Sequence, residues 1–485
     1  MATLANIELQ SRRPSSDEEA EPSPITTPPN GISDPGPNEH NEFSLPPVDG
    51  GKDAWMFLGA TFVLEALVWG VCNCSADINL QYVLSQIILG FPFAFGVFQD
   101  YYRSHEPFAG SSGIVAIGTC ALGIMYLDMP IVIALQQLYP RVARWCPLIG
   151  LIIMCLSLAV SSFSQTTTHL IVTQGVLYAL GGSICYCPCI LYMEEWFIRR
   201  KGLAYGVMWS GTGLGGFVFP LVLELLLGKF GFRTTLRIWS GSLFALTVPI
   251  IYFVKPRLPI SPASRGKTWH FGFLLQPTFL LFQITVMIES MGYFLPAIYL
   301  PTYARTILGA GSFGSALTVI LINVASVFGV VTMGMLVDRL HVTTCILIST
   351  IGAVVVTLLL WGFAVSLPIL YIFCVMYGLS AGSYASAWPG IMRQVVSDTH
   401  ARNVANGRAA AANMADPLMV FGLLSAGRGV GNVTSGPLSE ALIRGMPWRG
   451  KALGAWGSGY GILITFTGIT ALIGGSSFLW RKRMV

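Results

Sequence analysis

Charge is scarce in this sequence. Of 485 residues only 11% are Asp, Glu, Lys or Arg, against 53% hydrophobic. A water-facing domain needs about 25% charged residues to cover its surface, so a soluble globule is excluded. Histidine is sparse too: six in all, mostly in the tail or at the edges of apolar runs. The clustered His or paired Asp that a membrane enzyme would carry at a membrane face is missing. No glycine-rich phosphate loop of the Walker type occurs, which argues against ATP drive. The period-2 alternation of a membrane β-barrel is absent. The N-terminal stretch lacks the apolar core of a signal peptide and reads as a disordered tail.

What the chain has instead is length of apolar run. Phe313–Val337 and Leu463–Trp480 are almost free of charge, and about 20 such residues cross the hydrocarbon as a helix. Lipid leaves backbone groups no partner but each other, so helix is the default. Glycine, at 53 residues, suits close helix approach in lipid. Apolar spans are read at Ala54–Gly70, Leu80–Tyr101, Ser112–Leu135, Trp145–Phe163, Leu170–Met193, Leu203–Leu227 and Leu236–Val254. They continue at Phe273–Leu300, Phe313–Val337, Thr344–Phe363, Leu367–Met392, Leu418–Leu442 and Leu453–Trp480. Ten cysteines fall mostly inside these spans. The trio Cys185, Cys187 and Cys189, interrupted by Pro188 and without a nearby His, reads as helix packing and not as a metal site.

Positive charge orders the topology. Sixteen Lys and Arg fall in one set of alternate loops and the tail end: Arg141, Arg144, Arg199, Arg200, Lys201, Lys255, Arg257, Arg265, Lys267, Arg339, Arg393, Arg402, Arg408, Arg481, Lys482 and Arg483. The opposite loops hold eight. Cytoplasmic loops carry the excess. Twelve crossings with both ends inside fit if the first two spans count as one. The expected organisation is a cytosolic tail (1–52), a six-helix half (53–254), a cytosolic central loop (255–272), a second six-helix half (273–480) and a cytosolic C-terminus (481–485).

Several stretches resemble the major facilitator superfamily, in its monocarboxylate-porter-like, fungal-type branch. Tyr192–Gly206 joins an aromatic, the basic run Arg199-Arg200-Lys201 and Leu203-Ala204-Tyr205-Gly206, and leads into the glycine-rich Ser210–Gly216. Gly292–Tyr303 and Gly427–Pro437 are similar to later segments of that branch. Gly334–Arg339, ending in Asp338-Arg339, is a partial loop motif whose counterpart, Gln137–Arg141, lacks the Asp-Arg pair. The resemblance covers Ala54 to Trp480. It implies an all-α membrane protein of two pseudo-symmetric six-helix halves that moves a small organic solute by alternating access. A monocarboxylate or related organic acid is one such solute, and proton symport one such mode. One departure weakens the acid: Val330 stands where related carriers place an Arg after a stretch like Asn323–Gly329. In the family, a run like Val68-Trp69-Gly70 leads straight into one like Phe91–Gly96. Residues 71–90 therefore read as an insertion, of the size of a short translated intron; without it, one span of 24 residues would cover Ala54 to Val97.

Charges within spans are costly and face a cavity or a partner. They are Glu65, Asp128, Glu224, Glu289, Arg428 and Glu440. Arg428, flanked by Gly427 and Gly429, is expected to have room to move and can hold a carboxylate by two parallel hydrogen bonds. Glu289, with Tyr293 one turn on, is the candidate proton carrier. Asn323, Tyr384 and Trp388 are further candidates for substrate contact or gating, the last two expected on one helix face. Arg199, Arg200 and Lys201 are expected at the membrane surface, against helix ends and lipid heads. No cofactor, metal or nucleic-acid partner is expected. The partners are a small solute, protons and the bilayer, and the chain is read as a monomer of the plasma membrane or an organelle membrane. A transporter-like sensor and a carrier disrupted by residues 71–90 remain alternatives.

Overall fold

The structure is a computed structural model that describes residues 45–69, 98, 101–102, 105–109, 111, 113–259, 271–407 and 414–483. The tail up to residue 44, the suspected insertion at 71–90, residues 260–270 of the central loop and Arg408 lie outside the described residues. Among the described residues every regular element is helical, as the lack of backbone partners in lipid demands.

The N-terminal half comprises α1 (Gly51–Trp69), α2 (Ile114–Leu127), α3 (Met129–Leu138), α4 (Cys146–Ser161), α5 (Thr167–Trp196) and α6 (Lys201–Ile251). The pair α2–α3 is one passage bent by 44° at Asp128–Pro130. α6 is two passages joined at Gly231, whose φ of 70° only glycine adopts freely. The C-terminal half comprises α7 (Pro277–Thr306), α8 (Ser312–Val337), α9 (Val342–Trp361), α10 (Leu367–Ala405), α11 (Pro417–Ile443) and α12 (Gly461–Leu479). Among the described residues these make twelve helical passages. α10 runs thirteen residues beyond the Met392 boundary read from hydropathy, because Arg393 to Ala405 continue as helix past the apolar stretch.

Seven described helices are long and apolar enough to cross a membrane by themselves, eight with the bent pair. α4 falls short on length. α1 and α11 fall short on apolarity. They carry Glu65 and Arg428, and they are walls of the cavity described below.

Lipid exposure is written on the outside of α4. Ile149, Ile152, Leu156, Val160 and Phe163 are all exposed and recur every three or four residues. Its inner face holds Gly150, Met154, Cys155, Ser157 and Ser161. Apolar outside and small or polar inside is the pattern of a helix solvated by hydrocarbon. Cys185, Cys187 and Cys189 are buried in α5.

The first passage changes sides. Asp49 binds the backbone at residues 198–200, on the face with the excess of positive loops. Tyr102 packs on Phe232, beside Gly231 on the other face, with ring centroids 5.7 Å apart. Asp49 and Tyr102 therefore lie at opposite faces of the bundle.

The halves meet along two seams. In one, α6 lies on α8 so closely that a Cβ on Gly202 would stand 2.5 Å from the Gly334 carbonyl, and one on Gly206 2.9 Å from that of Val330. In the other, α11 lies on α2–α3, where a Cβ on Gly422 would come within 2.9 Å of Pro130.

Candidate functional site

Between the halves lies a cavity lined by side chains of both. Glu65 and Trp69 of α1, Tyr126 of α2, Tyr186 of α5 and Trp209 and Thr212 of α6 form one wall. Tyr293, Asn323, Val330, Trp388, Phe421 and Arg428 form the other. Four of the sequence candidates, Arg428, Tyr293, Asn323 and Trp388, thus share one cavity. Val330 makes the wall apolar at the place where the resemblance implies an Arg.

Arg428 and Glu289 are both buried, at 4% and 6% exposure, and pair at 3.5 Å. The guanidinium also lies over Tyr293 at 4.6 Å, Phe294 at 5.7 Å and Trp388 at 6.0 Å. The cation is boxed. Gly427 and Gly429 serve packing and not freedom of motion: a Cβ on Gly429 would stand 2.8 Å from Tyr126 Cβ, and Gly427 abuts the Gln283 side chain.

Glu289 itself faces a smaller space that it shares with Tyr384. Tyr384 and Trp388 do not act on one face. A 3-10 turn, Tyr384–Ala387, breaks the passage before Trp388. Tyr384 turns toward Glu289 and donates to the Gly474 carbonyl at 3.3 Å; Trp388 faces the main cavity.

Glu65 takes the Thr212 hydroxyl on Oε1 at 2.6 Å, and Oε2 receives no hydrogen bond. Asn323 Nδ2 is likewise buried without an acceptor. Asp128 sits at the α2–α3 bend, Glu440 is exposed near the end of α11, and the Glu224 side chain lies outside the described residues.

At the side of the cavity toward the basic face, four rings from both halves pack together, three of them lining the cavity. Trp209 lies on Phe421 at 6.2 Å, Tyr205 on Phe421 at 6.2 Å, and Trp388 meets Trp209 at 6.1 Å. Sequence reasoning passed over Tyr205, Trp209 and Phe421. Aromatics in apolar spans look like any other core residue, and the only hint was the small-residue face of α6 beside them.

At the basic face Asp338, following α8, receives the N–H groups of Gly202 at 2.7 Å and Leu203 at 2.9 Å from the start of α6. This carboxylate at a helix N-terminus joins the two halves. Arg393 holds it from behind, 3.7 Å from Asp338 and 2.6 Å from the Val337 carbonyl. Arg339 points to solvent. Arg199 and Arg200 are exposed, their N–H groups donating to Asp49, and Lys201 pairs with Glu194. Burial raises the Asp49 pKa, but hydrogen bonds from Arg199, Arg200 and Ile198 outweigh it and hold the carboxyl below the usual range.

Comparison with known proteins agrees with this architecture. The chain is 26% identical over 93% of its length, and 90% of the relative, to MFS transporter asaE of Aspergillus flavus. It is 27% identical to human monocarboxylate transporter 12 over 73% of its own length and 71% of that chain. It is 27% identical to the Fujikurins efflux protein of Gibberella fujikuroi over 70% and 69%. A family model for the Major Facilitator Superfamily matches residues 129–415, and with twelve helical passages in two halves around one cavity the chain belongs to that superfamily.

Proposed function

We propose that the protein is a secondary active transporter that moves a small organic solute by alternating access. The observation that carries this reading is a cavity lined by both halves, with Arg428 in its wall and the buried Arg428–Glu289 pair at its side. Carriers of this architecture bind at the junction of their halves and rock about it. The stacked rings and the Asp338 contact close that junction toward the basic face, so opening there requires both to part.

Proton coupling runs through Glu289 in this reading. Protonating it removes the counter-charge of Arg428 and frees the guanidinium for a polar group of the solute. An organic acid fits that step, in keeping with the name of the human relative, and export fits the name of the Fujikurins efflux protein. The basic face is assigned to the cytosol with both termini, and the plasma membrane is the proposed site of a monomer.

The test is uptake of labelled organic acids, vitamins and amines into proteoliposomes, with and without a pH gradient. Accumulation above empty vesicles supports the reading; an inert result across the panel and in both gradient directions sinks it. Tags on both termini, shielded from protease in intact cells, would agree with the assigned orientation, and cleavage of both would reverse it.

A further inference from the structure

Among the described residues two buried carboxylates, Glu289 and Glu65, lie in or beside the cavity, and one of them has a cation. Glu289 has Arg428. Glu65 lines the cavity at 4% exposure with the Thr212 and Tyr186 hydroxyls beside it and, among the described residues, no cation. Among the described residues Arg428 is the only cation lining this cavity, and Glu289 and the aromatic rings around it already meet its charge. A carboxyl removed from water is ionised only beside a counter-ion and otherwise holds its proton, so a cation entering the Glu65 side of the cavity gains the counter-charge that no residue there supplies.

The walls around Glu65 suit such a group. Trp69 packs against Tyr126 at 4.9 Å and against Tyr186 at 5.5 Å, and Trp209 donates to the Tyr186 hydroxyl at 3.0 Å. Trp69, Tyr126, Tyr186 and Trp209 line the same cavity as the carboxylate. Aromatic faces attract ammonium groups through their negative quadrupole, most strongly when water is excluded. A carboxylate among indole and phenol rings is therefore an ammonium site, with apolar surface such as Val330 left for an organic body.

We infer that Glu65 is the binding pole for a positively charged nitrogen, and that the substrate class is an organic ammonium with an aromatic or apolar body. This rests on the cavity being the transport site. An organic acid has no free cation to meet in the resting cavity; an organic cation has Glu65.

The test uses the full chain in phosphatidylcholine–phosphatidylglycerol proteoliposomes. Two labelled probes are compared, phenethyltrimethylammonium and 3-phenylpropionate, which share an aromatic body and differ in the sign of a fixed charge. The native chain should bind and take up the ammonium with a preference of roughly tenfold or more over the carboxylate. Glu65→Gln should lose ammonium affinity by roughly tenfold or more, with Glu65→Asp retaining part of it. Glu440→Gln, exposed near the end of α11, should match the native chain. Preference for the carboxylate, or unchanged ammonium affinity in Glu65→Gln with only an altered pH profile, overturns the inference and leaves the carrier reading standing. If neither probe moves in the native chain the inference falls, and the carrier reading falls with it only if the wider panel is also inert. Should Glu65→Gln fail to assemble, the native preference between the two probes decides alone.

Discussion

The two halves share a plan of six passages but load it differently. The C-terminal half carries the buried pair Arg428 with Glu289 and, at the contact between halves, Asp338 with Arg393, whereas the pair of the N-terminal half, Lys201 with Glu194, stays within that half. The N-terminal half offers what those charges meet, the N–H groups of Gly202 and Leu203, together with aromatic walls and the uncompensated Glu65. Its own loop at Gln137–Arg141 has no acid to mirror Asp338. Pseudo-symmetry therefore governs the path of the backbone and not the chemistry.

The comparison breaks most visibly at Arg428. Arg428→Ala leaves Glu289 buried without its cation, a loss of about 3–5 kcal/mol. Transport should disappear and the thermal midpoint should fall, with Arg428→Lys milder. The double variant Arg428→Ala/Glu289→Ala should regain much of the stability, as a thermal-shift series would measure. A double variant no more stable than Arg428→Ala would show that the pair is not what the arginine serves.

Next in size is the contact between halves. Asp338→Ala removes two charge-assisted bonds, about 2 kcal/mol or roughly thirtyfold in the balance between closed and open forms. Cysteine-accessibility labelling from the basic face should rise accordingly. The mirror substitution, Arg141→Ala in the other half, should change that labelling by about twofold at most, the range of an exposed surface change. Equal effects at the two loops would erase the asymmetry.

Glu289→Gln should flatten the pH dependence of transport without abolishing binding, which uptake measured across a pH series would read. A profile identical to the native one would remove Glu289 from the coupling step. The smallest effect belongs to Asp49→Ala, which removes a cap on residues 198–200 and should lower stability by about 1 kcal/mol. Because the Asp49 pKa is depressed, its contribution is present above the ordinary carboxylate range and fades only as pH falls through the lowered value. A native chain and an Asp49→Ala chain should therefore differ in melting temperature at neutral pH and converge in strong acid.

The passages from Ser112 onward were legible in the sequence because lipid sets a length and forbids charge, whereas the first two apolar runs had two readings. Arg428, Glu289, Asn323 and Trp388 stood out for the same reason: a polar or amphipathic residue inside a span must face something other than lipid. What could not be read were pairings. Glu65 was visible as a charge, but its bond to Thr212, 147 positions away, follows from how α1 crosses α6. Asp338 was visible as half of a motif, while its receiver is backbone and leaves no residue-type signature. Tyr384 and Trp388 were placed on one face by assuming an unbroken helix, and the turn at Tyr384–Ala387 rotated them apart.

The partner of Asp338 in the other half is a pair of neutral amides. When this catch opens, no opposing cation is stranded; a carboxylate and two N–H groups at a partly exposed edge pass to water, which solvates them readily. Release and re-engagement are thus cheap on both sides. Its strength should also depend weakly on ionic strength, because bulk ions screen a charge against a helix end at 2.7–2.9 Å far less than two separated surface charges.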